Sequence, residues 1–539
     1  MCSPKTAEEF SRPRVQIIDT TMDERIATSK RLIHNTVFNV VALISNAVIA
    51  FFLTRFFLAK LGHDRYGVWL LIGGSILHYG PLLNMGLNSA VNRYIPVYLA
   101  KNDSQGVQRV INTTLLFYSA LGILLVGVSI VLHYNIGSWF TIKPELVPSA
   151  AVLVLVVGFS CALAMPLQLY SAVLSGLQRY DVINSAMLIT LLLRTVLLVV
   201  LLSRGYGLLT MGITFGLSEI TMRALQFVFV RKLLPQASLS LANTDFGLLR
   251  EMLSYGVNTF LYATGAIVIY QASNVVIGIF MGTAGISQFF IASAGILLLS
   301  HFLEAFTAAI KPAVSELDAR GDQLRVKEIS FLTQKYSLLL LIPGVWFLVI
   351  MGREFLQVWV GDEFPDPAVI DAMAVILAIL AVGQCLRLAQ HSNFLVLVGR
   401  GEHKIFGIFT ALTALFCIFG SVASVKVLDW GLTGIAWSNF LPVALISGIV
   451  LPIYFNWKMR ISLLESVRSV WRPALLGSLP AVAVISIWKY AAPPNSWLEL
   501  AGVVAASIAV TLGSAWFLSL EEVERKRFAH IALRRQPPK

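Results

Sequence analysis

Charge is scarce in this chain. Only 13% of its 539 residues are Asp, Glu, Lys or Arg, whereas 57% are hydrophobic. A soluble domain carries about twice that charged fraction, and a mean hydropathy of +0.76 excludes a water-soluble globule. Cysteine is scarcer still. Cys2, Cys161, Cys385 and Cys417 are scattered without metal-ligand spacing and read as unpaired. There is no Gly-rich phosphate cradle, no metal-ligand cluster and no nucleophile elbow. No catalytic residue, metal or cofactor is therefore expected, and the chain does not read as an enzyme. A cleavable signal is not expected either: residues 1–31 are polar and mixed in charge, and the first apolar run is too long for a signal core.

What is present is apolar length. Runs of 18 or more residues recur from Ile33 onward, each long enough to cross a bilayer as a helix. The pattern predicts an all-α polytopic membrane protein with about fourteen spans. They lie near 33–58, 67–91, 110–133, 147–172, 182–203, 207–230, 250–272, 275–310, 331–351, 368–398, 404–425, 431–455, 473–491 and 497–519. The eighth and tenth are overlong, which suggests tilt or extension beyond the bilayer. Basic residues concentrate in alternate loops: about thirty of the 41 Lys and Arg fall on the side of both termini. The positive-inside rule makes that side cytoplasmic. The net charge of +12 is thus a topology signal, and no nucleic-acid partner is expected.

A repeat is legible at an offset near 220 residues. The stretch LGHDRYGVW near Leu61 answers MGTAGISQF near Met281, and AKNDSQGVQRVIN at Ala100 answers ARGDQLRVKEIS at Ala319. Six spans separate the copies, so the repeats are parallel, and repeat interfaces commonly hold a transporter's substrate. The expected layout is an N-terminal tail (1–32), a six-helix bundle (33–240), a second bundle (241–457), an extra helix pair (458–520) and a C-terminal tail (521–539).

Charges inside spans are costly and usually face a cavity or a partner. Arg194, in LLLRTVLLVV, lies near the midplane, either paired with Glu219 in the next span or lining a cavity. Glu219, Arg223 and Gln226 share one helix face. Span ten presents Gln384, Arg387 and His391 together. Span eight carries Ser293, Ser300, Glu304, Thr307 and Lys311 at helical spacing, and span seven a stripe of Tyr255, Asn258, Thr259, Tyr262 and Ser273. Any single Ser, Thr or Asn among them reads as interhelical glue, but the stripes together describe a wet, cationic interior. Arg55, near the end of span one, is open to a snorkelling reading. Asn35, Asn39 and Asn46 form that span's polar stripe. The acids of the loop at 352–367 read as solvated.

The run FFLTRFFLAKLG, followed by RYGVWLLIGGSILHYGPLLNMGLNSAVNRYI and the loop AKND, resembles the polysaccharide flippases. These belong to the multidrug/oligosaccharidyl-lipid/polysaccharide exporter superfamily. The likeness is most specific over residues 30–120, extends loosely to about 460, and the final pair is similar to fourteen-span members such as lipid II flippases. It implies alternating access in the cytoplasmic membrane. The cargo would be an isoprenoid-pyrophosphate-linked oligosaccharide, such as an O-antigen, lipopolysaccharide or exopolysaccharide repeat unit. Polymerase or ligase machinery would be further partners. The resemblance gives Arg194, Arg223, Arg387 and Arg55 the role of meeting pyrophosphate or acidic sugars, with His391, Gln384, Asn258 and Tyr262 lining the cavity. Some relatives carry an ion-coupling acid in span one; this span has none, leaving Glu219 and Glu304.

Two other functions compete. A small-molecule antiporter of the same superfamily would favour carboxylates and aromatics for cationic drugs, which four intramembrane arginines oppose. A membrane-embedded glycan polymerase or ligase would need a sizeable outer loop, and the loops are short.

Overall fold

Backbone that crosses hydrocarbon must satisfy its own hydrogen bonds, and helices do so within one segment. The computed structural model describes residues 22–76, 84–235, 243–307, 310–400 and 404–526. The side chains of 22–44, 257–259, 261–263, 266, 270, 305, 311, 312 and 404 lie outside that description. Among the described residues there is no strand.

The order is α1 (Met22–Leu71), α2 (Leu87–Ala100), α3 (Ser104–Trp139), α4 (Val147–Gly176), α5 (Tyr180–Ser203), α6 (Leu209–Leu233) and α7 (Phe246–Phe280). Then come α8 (Thr283–Thr307), α9 (Ile310–Ala319), α10 (Gln323–Ile350), the short α11 (Gly352–Val360), α12 (Pro367–Ala389), α13 (His391–Gly399) and α14 (Lys404–Lys426). The chain continues through α15 (Gly431–Leu445), α16 (Leu451–Lys458), α17 (Leu463–Ser466), α18 (Arg472–Ala491) and α19 (Trp497–Leu518). Twelve described helical runs are long and apolar enough to cross a membrane. The count of about fourteen is consistent with this, because α1 breaks at Gly62 (φ 75°) and so contains parts of two traverses.

Boundaries moved where sequence offered no punctuation. The seventh helix runs on to Phe280, so the turn falls at Met281–Gly282, not near residue 273. The overlong span ten is interrupted rather than extended. It turns at Gln390 between α12 and α13.

The repeat is visible in the backbone. Gly62 (φ 75°) and Gly282 (φ 93°) occupy equivalent corners, both in the left-handed region that glycine enters freely. Asn102 (φ 55°) and Gly321 (φ 73°) are likewise matched. Each precedes an aspartate N-cap: Asp103 accepts from the Gly106 N–H, and Asp322 from the Arg325 N–H.

The two corners pack on each other and mark one end of the molecule, the Gly62 face. Gly67 lies so near the Thr283 carbonyl that no Cβ fits there. Thr283 Oγ1 donates to Asp64 Oδ1 (3.2 Å), Ser287 Oγ donates to the His63 carbonyl (2.6 Å), and Lys143 pairs with Asp64 at 2.6 Å. That carboxylate raises the pKa of the exposed Lys143 ammonium. Toward the opposite, Asp103 face, Gly86 of the first repeat meets Gly256 of the second, again without room for a Cβ. Arg93 stacks 4.6 Å over the Tyr255 ring nearby, and Tyr94 donates to Glu251 (2.5 Å). The repeats therefore touch near both faces, with polar interior between.

The pair α18–α19 packs against α10 and is fixed at both ends. At the Asp103 face Lys335 of α10 is buried and donates to both carboxylate oxygens of Glu524 (2.6 and 2.8 Å). At the Gly62 face Lys489 bonds the Ile350 carbonyl and lies 3.6 Å from Glu354.

Candidate functional site

The second repeat encloses a cleft between α7, α8, α12, α14 and α15. Its wider part, about 370 Å³, is lined by Gln271, Ser273, Asn274, Ser293, Gln384 and Asn439 together with Phe289, Phe290 and Phe440. A narrower part of about 50 Å³ adjoins it through shared Ile269 and Val443, and holds Arg387, Gln390, His391, Thr410 and Thr413. Phe406, in the first turn of α14, belongs to that narrower part, which therefore approaches the Asp103 face. Asn274 and Asn439 lie seven or eight residues from turns of the Gly62 face, roughly 10–12 Å along a helix.

Sequence placed Gln384, Arg387 and His391 on one face, and the structure brings them together. Arg387 Nε donates to Gln384 Oε1 at 2.5 Å, joining the two parts of the cleft. His391 follows the break at Gln390, where α12 gives way to α13. Glu304 of α8 approaches the same group: His301 Nδ1 is 3.5 Å from its carboxylate, and His391 and Arg387 lie within electrostatic reach. Three basic side chains, His301, Arg387 and His391, thus gather around one carboxylate beside the narrower part.

Amides that sequence did not single out complete the site. Asn439 Nδ2 donates to Ser273 Oγ (2.9 Å), and Asn274 Nδ2 donates to Ser75 Oγ (3.0 Å). Ser75 in turn donates to Gln271 Oε1 (3.2 Å) and sits in the π-helical turn Ile72–Ile76 of the first repeat. Such π turns inside α-helices are frequent at functional sites. Asn393 Nδ2 donates to Gln390 Oε1 (2.9 Å). The signal was available, since each is an amide within an apolar run, but one amide per span also suits interhelical bonding.

Other expected residues fall elsewhere. Arg194 forms no ion pair within 4 Å among the described residues; Glu219 acts on it only at longer range. Glu219 instead pairs with Arg223 at 3.6 Å, one helical turn along, and Arg223 Nη1 donates to Gln226 (3.3 Å). The i,i+4 geometry on α6 outcompetes the reach to α5. This cluster belongs to the first repeat, so the four arginines do not line one cavity.

Arg55 pairs with Asp362 on the Gly62 face, with its side chain 42% exposed, and lines neither part of the cleft. It pairs with the acidic loop rather than with the cleft, and Asp362 itself remains solvated, with its side chain 79% exposed. Ser300 and Thr307 are buried and donate to carbonyls of their own helix, so among the described residues of the span-eight stripe Ser293 lines the cleft and Glu304 approaches it. The side chains of Asn35, Asn39, Asn258, Thr259, Tyr262 and Lys311, all named in the sequence stripes, lie outside the described residues.

A multi-pass helical protein of two like halves around a polar interior has the architecture of a membrane transporter. The model of the family described as polysaccharide biosynthesis protein matches residues 81–368, and the chain belongs to that family. In fold it is similar to the lipid II flippase MurJ in an inward closed conformation, with a TM-score of 0.66 and 14% identity over 93% of this chain and 99% of that one. It is also similar to an inward-facing multidrug resistance MATE family transporter of the MOP superfamily. There the TM-score is 0.63, with 16% identity over 79% of this chain and 94% of the other. An uncharacterized membrane protein of Methanocaldococcus jannaschii is 23% identical over 334 residues. That match covers 59% of this chain and 64% of the relative's length.

Proposed function

We propose that this protein is a flippase for an isoprenoid-pyrophosphate-linked oligosaccharide. It would carry repeat units of an O-antigen or exopolysaccharide from the cytoplasmic to the outer leaflet of the cytoplasmic membrane. The observation that carries the reading is the cleft in which Arg387 and His391 adjoin an amide-lined space of about 370 Å³, in a chain of a polysaccharide biosynthesis family. Guanidinium binds phosphate through a planar fork, and desolvation strengthens that contact. The Asp103 face is cytoplasmic in this reading, as are both termini. The two six-helix bundles (33–240 and 241–457) rock about contacts at alternate faces, and the pair at 458–520 rides with the second. Arg194 and Arg223 form a second anion-attracting group on the first bundle, Arg55 belongs to the outer rim, and no covalent chemistry is involved. Polymerase or ligase machinery would receive the delivered unit.

Deleting the gene tests this: lipid-linked repeat units should accumulate facing the cytoplasm, and the intact gene should restore surface glycan. A deletion that alters drug sensitivity alone would favour an antiporter, the reading that Glu304 beside the cleft supports. Glu219 and Glu304 are the candidates for ion coupling. If Glu304 couples, Glu304→Gln will abolish the response of transport to an imposed proton or sodium gradient at normal membrane abundance. A normal response in Glu304→Gln, Glu219→Gln and the double variant would remove carboxylate coupling.

A further inference from the structure

The extra helix pair joins the second bundle through a connector on the Asp103 face. α16 ends at Lys458, Arg460 turns the chain (φ 55°), and Ser462 caps the next helix. That helix runs unbroken from Leu463 through the π-helical turn Val467–Trp471 into α18. Two side chains tie the connector down. Glu465 pairs with Lys327 of α10 at 2.7 Å, and Met459 Sδ accepts from Arg400 Nη1 at 3.0 Å. Ile461, Ser466 and Val470 are buried.

The opposite face is bare. Leu464, Arg468, Arg472, Leu475 and Leu479 follow one another at helical spacing, and all five are exposed. Leu463 and Val467 widen the strip, as does Trp457 at the end of α16; Trp457 is 72% exposed and Leu464 77%. Arg460, Arg468 and Arg472 form no ion pair among the described residues. An apolar strip of this kind marks a contact surface.

Length decides what covers it. The run Leu463–Ala491 has 29 residues, about 43 Å of helix. The hydrocarbon core takes up about 30 Å of a bilayer, and the headgroup layers bring it to about 40–45 Å. The first turns therefore lie at headgroup depth. Leu475 and Leu479 carry the same face on into the hydrocarbon, so lipid covers the strip along its whole length. Tryptophan is enriched at that depth, and basic side chains there attract anionic headgroups. The one acid of the connector, Glu465, is already committed to Lys327.

We propose that residues 457–472 form a binding surface for anionic phospholipid. Arg468 and Arg472 meet the headgroup phosphate, and Trp457, Leu463 and Leu464 sit among the upper acyl carbons. The surface fixes the depth of the extra pair and is independent of what the cleft carries.

The test places a polarity-sensitive dye on Leu464→Cys in full-length protein whose four native cysteines are replaced by alanine, so that the readout is local. Each basic group near an anionic surface is worth about fivefold in affinity. In detergent, phosphatidylglycerol should therefore shift the dye's emission to the blue at roughly twentyfold lower concentration than phosphatidylcholine. Arg468→Gln/Arg472→Gln should erase most of that preference while holding phosphatidylcholine within about twofold. Arg468→Lys/Arg472→Lys should keep most of it, because charge rather than planar geometry is read. Thermal unfolding checks that each variant is folded. Glycerol phosphate, which has the anion without the chains, should give no shift. Equal half-points for the two lipids, a preference that survives the glutamine pair, or an equal shift with glycerol phosphate overturns the proposal.

Discussion

Arg387→Ala will abolish glycan transport while the protein still reaches the membrane in normal amount. The guanidinium is half-buried where α12 ends, held toward the cleft by its bond to Gln384. Losing one charge-assisted contact costs about 1.5–3 kcal/mol, roughly a tenfold to hundredfold loss of affinity. If both phosphates of the proposed cargo meet the same fork, the loss falls at the upper end. Arg387→Lys will retain partial function at most, because it keeps the charge and loses the planar geometry. Surface-glycan complementation with membrane abundance checked for each variant reads this directly. Full activity of Arg387→Ala would remove Arg387 from the substrate path. Arg194→Ala will cost less, since Arg194 lies outside the described cleft beside the Glu219–Arg223 pair.

Lys335→Met will be the most destabilising single substitution considered. Its ammonium is 4% exposed and Glu524 is 10% exposed, and Glu524 also accepts from Tyr336 (3.0 Å) and from the Glu521 N–H (2.7 Å). Removing one partner of such a pair strands a buried charge, at a cost of about 3–5 kcal/mol. The thermal unfolding midpoint in detergent should fall by several degrees. The double variant Lys335→Met/Glu524→Leu should recover much of that loss, because apolar replacement of both partners removes the stranded charge. A double variant as unstable as the single one would mean that the carboxylate's other bonds, not the ion pair, hold the tail to α10.

These two residues also mark what sequence could and could not convey. Apolar length and alternating loop charge made the helices legible, and the corner at Gly62 was findable because its counterpart at Gly282 lies 220 residues on. Gln384, Arg387 and His391 were legible as a group because helical spacing is local. Lys335 and Glu524 are 189 residues apart, and nothing near either names the other. The same limit left the partner of Arg194 open. Depth in adjacent spans suggested Glu219, whereas helix geometry gives that carboxylate to Arg223. Arg55 looked like an interfacial charge until the fold brought Asp362 to it across 307 residues. Gln390 escaped notice for another reason: what marks it is an Nε2 without a partner among the described residues, a property of packing rather than of residue type.

The central claim is translocation of a lipid-linked glycan, and reconstitution tests it most directly. Proteoliposomes containing the purified chain would receive an isoprenyl pyrophosphoryl oligosaccharide with a fluorescent sugar, and a membrane-impermeant quencher would report the leaflet it occupies. The account predicts that probe in the protected leaflet becomes quenchable far faster than in protein-free vesicles, and that Arg387→Ala returns the rate to theirs. No acceleration by the parent protein, in vesicles where it does move a cationic drug, would contradict the account.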